Sequence, residues 1–154
     1  MDDVVRLLDQ LDRSLNGDSW HGPALLELLP GIDAATAAAR PIAAAHSIRE
    51  LVAHSITWQE IVTRRLRGDD VEPTPEENFP TFEDVDGPGW STLIERLVSA
   101  RAELRVEVEG WSAGSLDETP VPGRGTRYHL VHGVIQHDLY HAGQVALLAR
   151  AASE

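Results

Sequence analysis

The stretch from Tyr128 to Arg150, YHLVHGVIQHDLYHAGQVALLAR, constrains this chain most. No proline interrupts it and its apolar residues recur at helical spacing, which predicts one long helix. Leu130, Val134, His137, His141, Val145 and Leu148 fall on a single stripe. A helix turns by about 100° per residue, so His137 and His141 stand one above the other on that stripe. Such a helix needs other helices to cover its apolar face, and its imidazoles need partners there. A lone histidine on a core face is ordinarily satisfied by hydrogen bonds. A pair at this spacing can also hold a divalent metal ion.

The rest of the chain predicts the covering helices. Residues 2–15 read as a first helix, with Val4, Val5, Leu8, Leu11 and Leu15 as its apolar face. Asp2 and Asp3 suit its positive end, and Asn16-Gly17-Asp18 stops it. A long, partly helical connection follows. Pro23 opens a short helix ending near Pro30-Gly31, and Asp33 caps a further turn. His21 reads here as a packing or capping residue. Residues 47–67 form a second long helix, in which Ser47 and Glu50 have capping-box spacing. Leu51, His54, Trp58 and Ile61 share one face of it, so His54 also points to the core, with His46 just before the helix lining the same pocket.

Residues 69–88 hold four prolines and many acids. They read as a solvated crossover rather than a packed element, pinned by Phe79 and Phe82, and they lack EF-hand spacing. Residues 90–109 predict a third long helix, with Leu93, Leu97, Ala100, Leu104 and Val108 buried. Trp90 and Trp111 bracket it, as core residues or as part of an interface between copies. Residues 112–117 suggest one turn, and 119–127 a glycine-rich link without the context of a phosphate loop. Four amphipathic helices with long links predict an all-α four-helix bundle with long crossover connections, as a single domain over residues 1–154.

Composition removes several function classes. The chain has no cysteine, so disulfides, thiolate metal sites and a cysteine nucleophile are out. It has no lysine either, which rules out Schiff-base chemistry on a side-chain amine. A net charge of −12 is opposite to what nucleic acid or an anionic membrane surface attracts, so neither is an expected partner. No apolar run is long enough for a membrane span, and the acidic N-terminus is unlike a signal peptide. A cytoplasmic location is the expectation.

Three neutral imidazoles in one core would each need partners for their polar nitrogens, whereas one ion satisfies all three. The proposed ligands are His54, His137 and His141, with water or substrate completing the coordination. All-nitrogen ligation suits zinc, nickel, copper or ferrous iron. Glu50, one turn before His54, and Gln144, near His141, are candidates to orient ligands or touch substrate. Asp138 and Tyr140 flank the stripe and either orient ligands or pack between helices. His137-Asp138-Leu139-Tyr140-His141 is also like the zinc-peptidase pattern His-Glu-x-x-His. Its acid is shorter than a general base there requires, and no histidine follows downstream.

The segment AAHSIRELVAHSITWQEIVTRRLRGD resembles the second helix of the DinB-like superfamily, and GVIQHDLYHAGQVALLAR resembles its fourth. Trp20-His21-Gly22-Pro23 and Asn78-Phe79-Pro80 are similar to further patterns of that group, which includes the YfiT-like proteins. The resemblance covers nearly the whole chain. It implies a bundle, often a homodimer, whose metal is held by one histidine of the second helix and two of the fourth, here His54, His137 and His141. Zinc or nickel is the implied cofactor. Relatives include S-transferases and an isomerase that use low-molecular-weight thiols, others described only as metal-dependent hydrolases, and many without known activity. Three functions follow as expectations: a thiol-dependent transferase acting on a small molecule, a metal-dependent hydrolase, or a metal-stabilised stress-response bundle with no turnover.

Overall fold

The computed structural model describes residues 2–82 and 87–153. Residues 83–86 of the acidic crossover lie outside the described residues, as do Met1 and Glu154 of the expected domain. The elements run α1 (Asp3–Asn16), α2 (Leu25–Leu28), α3 (Ala34–Ala38), α4 (Ile48–Leu66), α5 (Pro75–Asn78), α6 (Gly87–Glu109), one 3₁₀ turn (Ala113–Ser115) and α7 (Arg127–Ala151). No strand occurs among the described residues.

Local chemistry sets the ends of these helices. Asp2 accepts from the Val4 amide at 3.0 Å and starts α1. Ser47 and Glu50 form the capping box at the head of α4, with the Ser47 amide donating to Glu50 at 2.7 Å. At its tail, Gly68 takes φ +99°, and the amides of Gly68 and Asp69 donate back to Arg65 and Arg64. This is a Schellman ending, which favours glycine at its left-handed position. Thr74 and Glu77 cap α5 in the same reciprocal way as α4, with Pro75 opening it. Apolar periodicity gives no sign of this short helix, although its capping sequence Thr-Pro-Glu-Glu is legible in the chain.

The four long helices pack on one another. Both α1 and α4 lie against α6 and α7, so each long helix has two long neighbours. The chain therefore does not pass round the bundle in order. The crossover from α4 to α6 joins neighbours, while those from α1 to α4 and from α6 to α7 join helices that are not main partners among the described residues. Side contacts of α2 and α3 with α7, α4 and α6 close one end, so the long α1–α4 connection covers the bundle there. In that region the Trp90 indole, buried in the core, donates to the Ile32 carbonyl at 2.8 Å. Trp111, half-buried, lies under the Arg127 guanidinium at 5.0 Å.

The apolar core falls into two clusters. One gathers Leu15, Leu25, Val52, Ile56, Leu97 and Val145, and the other Leu7, Leu11, Val62, Leu104, Val131 and Ile135. Full burial of each such side chain contributes about 1.5–3 kcal/mol. In α1 the buried face is Val4, Leu7, Leu11 and Leu15, while Val5 is exposed, so the face is turned slightly from the expected stripe.

A polar network also lies in the core. The Arg101 guanidinium of α6 pairs with Asp138 of α7, donates to the Leu11 carbonyl of α1, and donates to Gln59 of α4 at 3.2 Å. The Ser14 hydroxyl completes it, 3.1 Å from Asp138. Arg101 is 3% exposed and Asp138 is fully buried. Burial pushes the Asp138 carboxyl above its ordinary value, against the pull of Arg101 and Ser14. Truncating the arginine would leave that carboxylate buried without its counter-charge. Arg101→Leu is expected to lose about 3–5 kcal/mol in urea denaturation. The double variant Arg101→Leu/Asp138→Leu is expected to lose less than the single one, because both charges leave together.

Candidate metal centre

Helices α4 and α7 bring the three predicted histidines together. Their ligand-capable nitrogens all lie within 4.8 Å of one another. His137 Nε2 is 2.9 Å from His54 Nε2 and 3.1 Å from His141 Nε2. In a zinc tetrahedron with bonds of 2.0–2.1 Å, the ligand atoms stand about 3.3 Å apart. The trio is a little tighter than that and otherwise the right size.

The opposite ring edges of His54 and His141 are held by oxygens. His54 Nδ1 lies 2.8 Å from the Asn78 carbonyl, which can only accept, so Nδ1 carries the hydrogen and Nε2 presents its lone pair. His141 Nδ1 lies 2.6 Å from Gln144 Oε1 and is fixed the same way. A proton on His137 Nε2 can serve only one of its two neighbours, whereas a cation between the three nitrogens serves them all. The donor set therefore fits a divalent ion.

The crossover supplies much of the support. Asn78 holds His54 with its carbonyl and accepts from the Trp58 indole with its side chain at 2.9 Å. Phe79 stacks on His54 with centroids 4.1 Å apart and on His46 at 3.8 Å. The Thr57 hydroxyl donates to the Glu77 carbonyl at 2.8 Å. This segment is thus packed against α4 and not merely solvated, which corrects the sequence reading. Phe79 pins it as expected, and Phe82 lies against the Arg49 guanidinium at 4.1 Å. Asn78 is the functional residue that sequence reasoning misses: the only signal for it there is its place in a family pattern, which says nothing of a bond to His54.

The other candidates are placed as follows. Gln144 touches His141 directly. Glu50 is committed to the Ser47 amide and to Arg40 at 2.5 Å, with His46 at 3.7 Å. Burial opposes its ionisation, but the Ser47 bonds with Arg40 and His46 outweigh that and hold its carboxyl below the ordinary value. Asp138 packs between helices on Arg101. Tyr140 is 66% exposed, with its ring 5.1 Å from that of His141. His46 is exposed beside Phe79, and His21 lies exposed in the α1–α2 connection.

Two hollows flank the trio. One, about 280 Å³, lies between α4 and α7 and has His137 in its wall. The other, about 330 Å³, is lined by His46, Leu51, Gln144 and Leu147.

All three imidazoles are held below their ordinary value, first by burial in each case, with the charges of neighbouring histidines adding to it. His137 is lowered to about 3. The rings are therefore neutral at neutral pH with lone pairs available. In the unfolded chain they take up protons near pH 6.5, so below that value the unfolded state binds more protons than the folded one. The stability of the chain stripped of metal is thus complete above about pH 6.5 and falls as the pH drops toward 3. The slope is at most about 1.4 kcal/mol per pH unit for each ring. Urea denaturation in chelator should show a lower midpoint at about pH 5 than at about pH 8, and His137→Phe should reduce the difference.

No curated protein and no solved structure matches this chain. The model of the DinB superfamily matches residues 19–145, which include α4, α7 as far as Val145, and all three histidines. By that match over most of its length, together with an all-helical fold and a buried three-histidine group, the chain belongs to the DinB superfamily.

Proposed function

We propose that this protein is a metal-dependent enzyme acting on a small molecule, of the thiol-dependent S-transferase kind. The observation that carries the reading is the convergence of three neutral imidazole Nε2 atoms beside an apolar hollow. Three protein ligands with an open side is the catalytic pattern, whereas structural sites are usually closed by four. The all-imidazole set suits zinc or nickel.

When bound, a divalent ion supplies the positive charge that stabilises a cosubstrate thiol as its thiolate at neutral pH. The chain does the rest. His54, His137 and His141 offer rings that are already neutral. Asn78 and Gln144 hold two of the rings in orientation, and Phe79 covers the His54 face from water. The chain itself has no cysteine, so the sulfur comes from a cosubstrate. The transfer joins that sulfur to an electrophilic carbon of the acceptor, and the displaced group leaves with the electron pair of the bond it loses.

The hydrolase reading is less well supported. It calls for a general base beside the activated water. Glu50 is bound by Ser47 and Arg40, and Asp138 by Arg101 and Ser14, so neither carboxylate is available for that task.

Elemental analysis of untagged protein should find about one zinc or nickel ion per chain, lost in His141→Ala. Conjugation of monobromobimane or a similar electrophile should then need both the ion and a small thiol. Turnover of ester or amide substrates without thiol would favour the hydrolase. Bound metal that raises the melting temperature, with no turnover of either kind, would leave a binding bundle.

A further inference from the structure

A thiol-transfer site must also accept an electrophile, and the hollow next to His137 bears on what that is. Its walls come from two helix faces, Trp58 and Val62 on α4, and Leu130, Gly133 and Val134 on α7. His137 is part of the wall, one helical turn beyond Gly133 and on the same face, so the hollow adjoins one member of the trio.

Gly133 is the informative residue. It lies in the interior of a long helix, where glycine is among the poorest choices. A Cβ built there meets nothing within 4 Å, so no close packing of another element demands its smallness. What its missing side chain leaves is space, and that space is part of the hollow. Gly143, the other glycine of α7, faces solvent instead.

The charges in the lining indicate the chemical class. Arg65 and Arg124 border the hollow, and both are already engaged. Arg65 donates to the Val71 carbonyl from Nε at 3.0 Å and from Nη2 at 2.8 Å, and pairs with Glu72 at 2.8 Å. Arg124 donates to Asp70 at 2.8 Å and pairs with Glu72 as well. Two acids thus answer two arginines, and an anionic ligand would have to displace them. His129, the remaining polar neighbour, is exposed, and its ring lies against Gly125. The rest of the lining is the Trp58 indole, with the Arg65 guanidinium 5.5 Å from its ring centroid, and aliphatic carbon. An apolar cavity of about 150 Å³ accommodates benzene, so 280 Å³ has room for a two-ring group.

Building on the thiol-transferase reading above, we propose that the hollow beside His137 is the acceptor subsite, and that its ligand is a neutral apolar group of about bicyclic aromatic size. Gly133 sets its depth. The apolar group lies between Trp58 and Val134, and the electrophilic carbon it carries is then presented past His137 to the thiol.

The test uses 1-fluoronaphthalene as probe, followed by ¹⁹F NMR on the full chain. The zinc-loaded and cobalt(II)-loaded proteins are compared, because the paramagnetic ion relaxes a nearby fluorine strongly. The wild-type chain should bind the probe, and the cobalt form should shorten its relaxation well beyond the zinc form. Gly133→Leu fills the hollow with a residue that helices favour, so it should keep its metal and its melting temperature. It should weaken probe binding by about tenfold or more. Gly133→Ala, whose Cβ meets nothing, should weaken it by less and serves if the leucine variant does not fold. 1-Naphthoate should bind more weakly than the neutral probe. The proposal is overturned if wild type fails to bind, if Gly133→Leu binds as wild type does, if cobalt adds no relaxation, or if naphthoate binds more tightly. Should the chain take up no cobalt at all, the metal reading fails by itself. The loss of binding in Gly133→Leu, read on the diamagnetic protein, still decides the subsite.

Discussion

Arg101 touches all four long helices. It belongs to α6, pairs with Asp138 of α7, and reaches the Leu11 carbonyl of α1 and Gln59 of α4. A hydrophobic core specifies that helices pack, but much less sharply how far each slides along its neighbour. A buried ion pair adds little net stability, because desolvation offsets most of the attraction. What it adds here is register. If α7 slid by one turn, Asp138 would be buried against apolar residues and Arg101 would lose its counter-charge. His137 adjoins Asp138 in sequence and His141 is three residues on, so the network that fixes α7 also fixes the ligand pair. His54 lies five residues before Gln59 and is held by the same device from the α4 side.

The geometry of the trio then depends on a segment that is neither long nor apolar. The α5 turn ends at Asn78, and that residue meets both His54 and Trp58. Its carbonyl sets the tautomer of the one ligand that α4 provides. Phe79, the next residue, stacks on the same ring. A crossover rich in proline and acid therefore acts as a brace. Pro75 and the Thr74–Glu77 capping box make it rigid at low entropic cost, since proline restricts the unfolded chain in advance. The Arg65 and Arg124 pairs with Asp70 and Glu72 fasten its beginning.

Most of the helices and all three histidines are legible from periodicity, because an apolar face has to repeat every three or four residues whatever its partners. The limits of that signal are equally physical. Periodicity counts only apolar residues, so it places the centre of α7 on the line through His137. The fully buried line runs through Val131, Asp138 and Val145, and His137 lies at the edge, half-buried beside the hollow. Arg101 escapes notice for the same reason, although Leu97, Arg101, Leu104 and Val108 have core spacing. A charged residue inside a stripe can be read as a buried pair only when its partner is known, and that partner is on another helix. Asn78 acts on His54 through its backbone carbonyl, which leaves no trace in residue type. The pairing of helices across the bundle is not legible either, since long links permit several orders.

A site of this kind is costly to the fold that holds it. Three imidazoles have left water, two of them with one nitrogen bonded to oxygen and the other facing its fellows, and all three resist protonation. The rest of the bundle offsets that cost, through its two apolar clusters and the network between them. The return is that a divalent ion entering the trio meets rings that are already neutral and reorients few side chains, so little of its binding free energy goes into arranging ligands. Among the described residues the three rings supply three positions. A further partner that comes from outside the chain is restricted by the apolar hollow at His137.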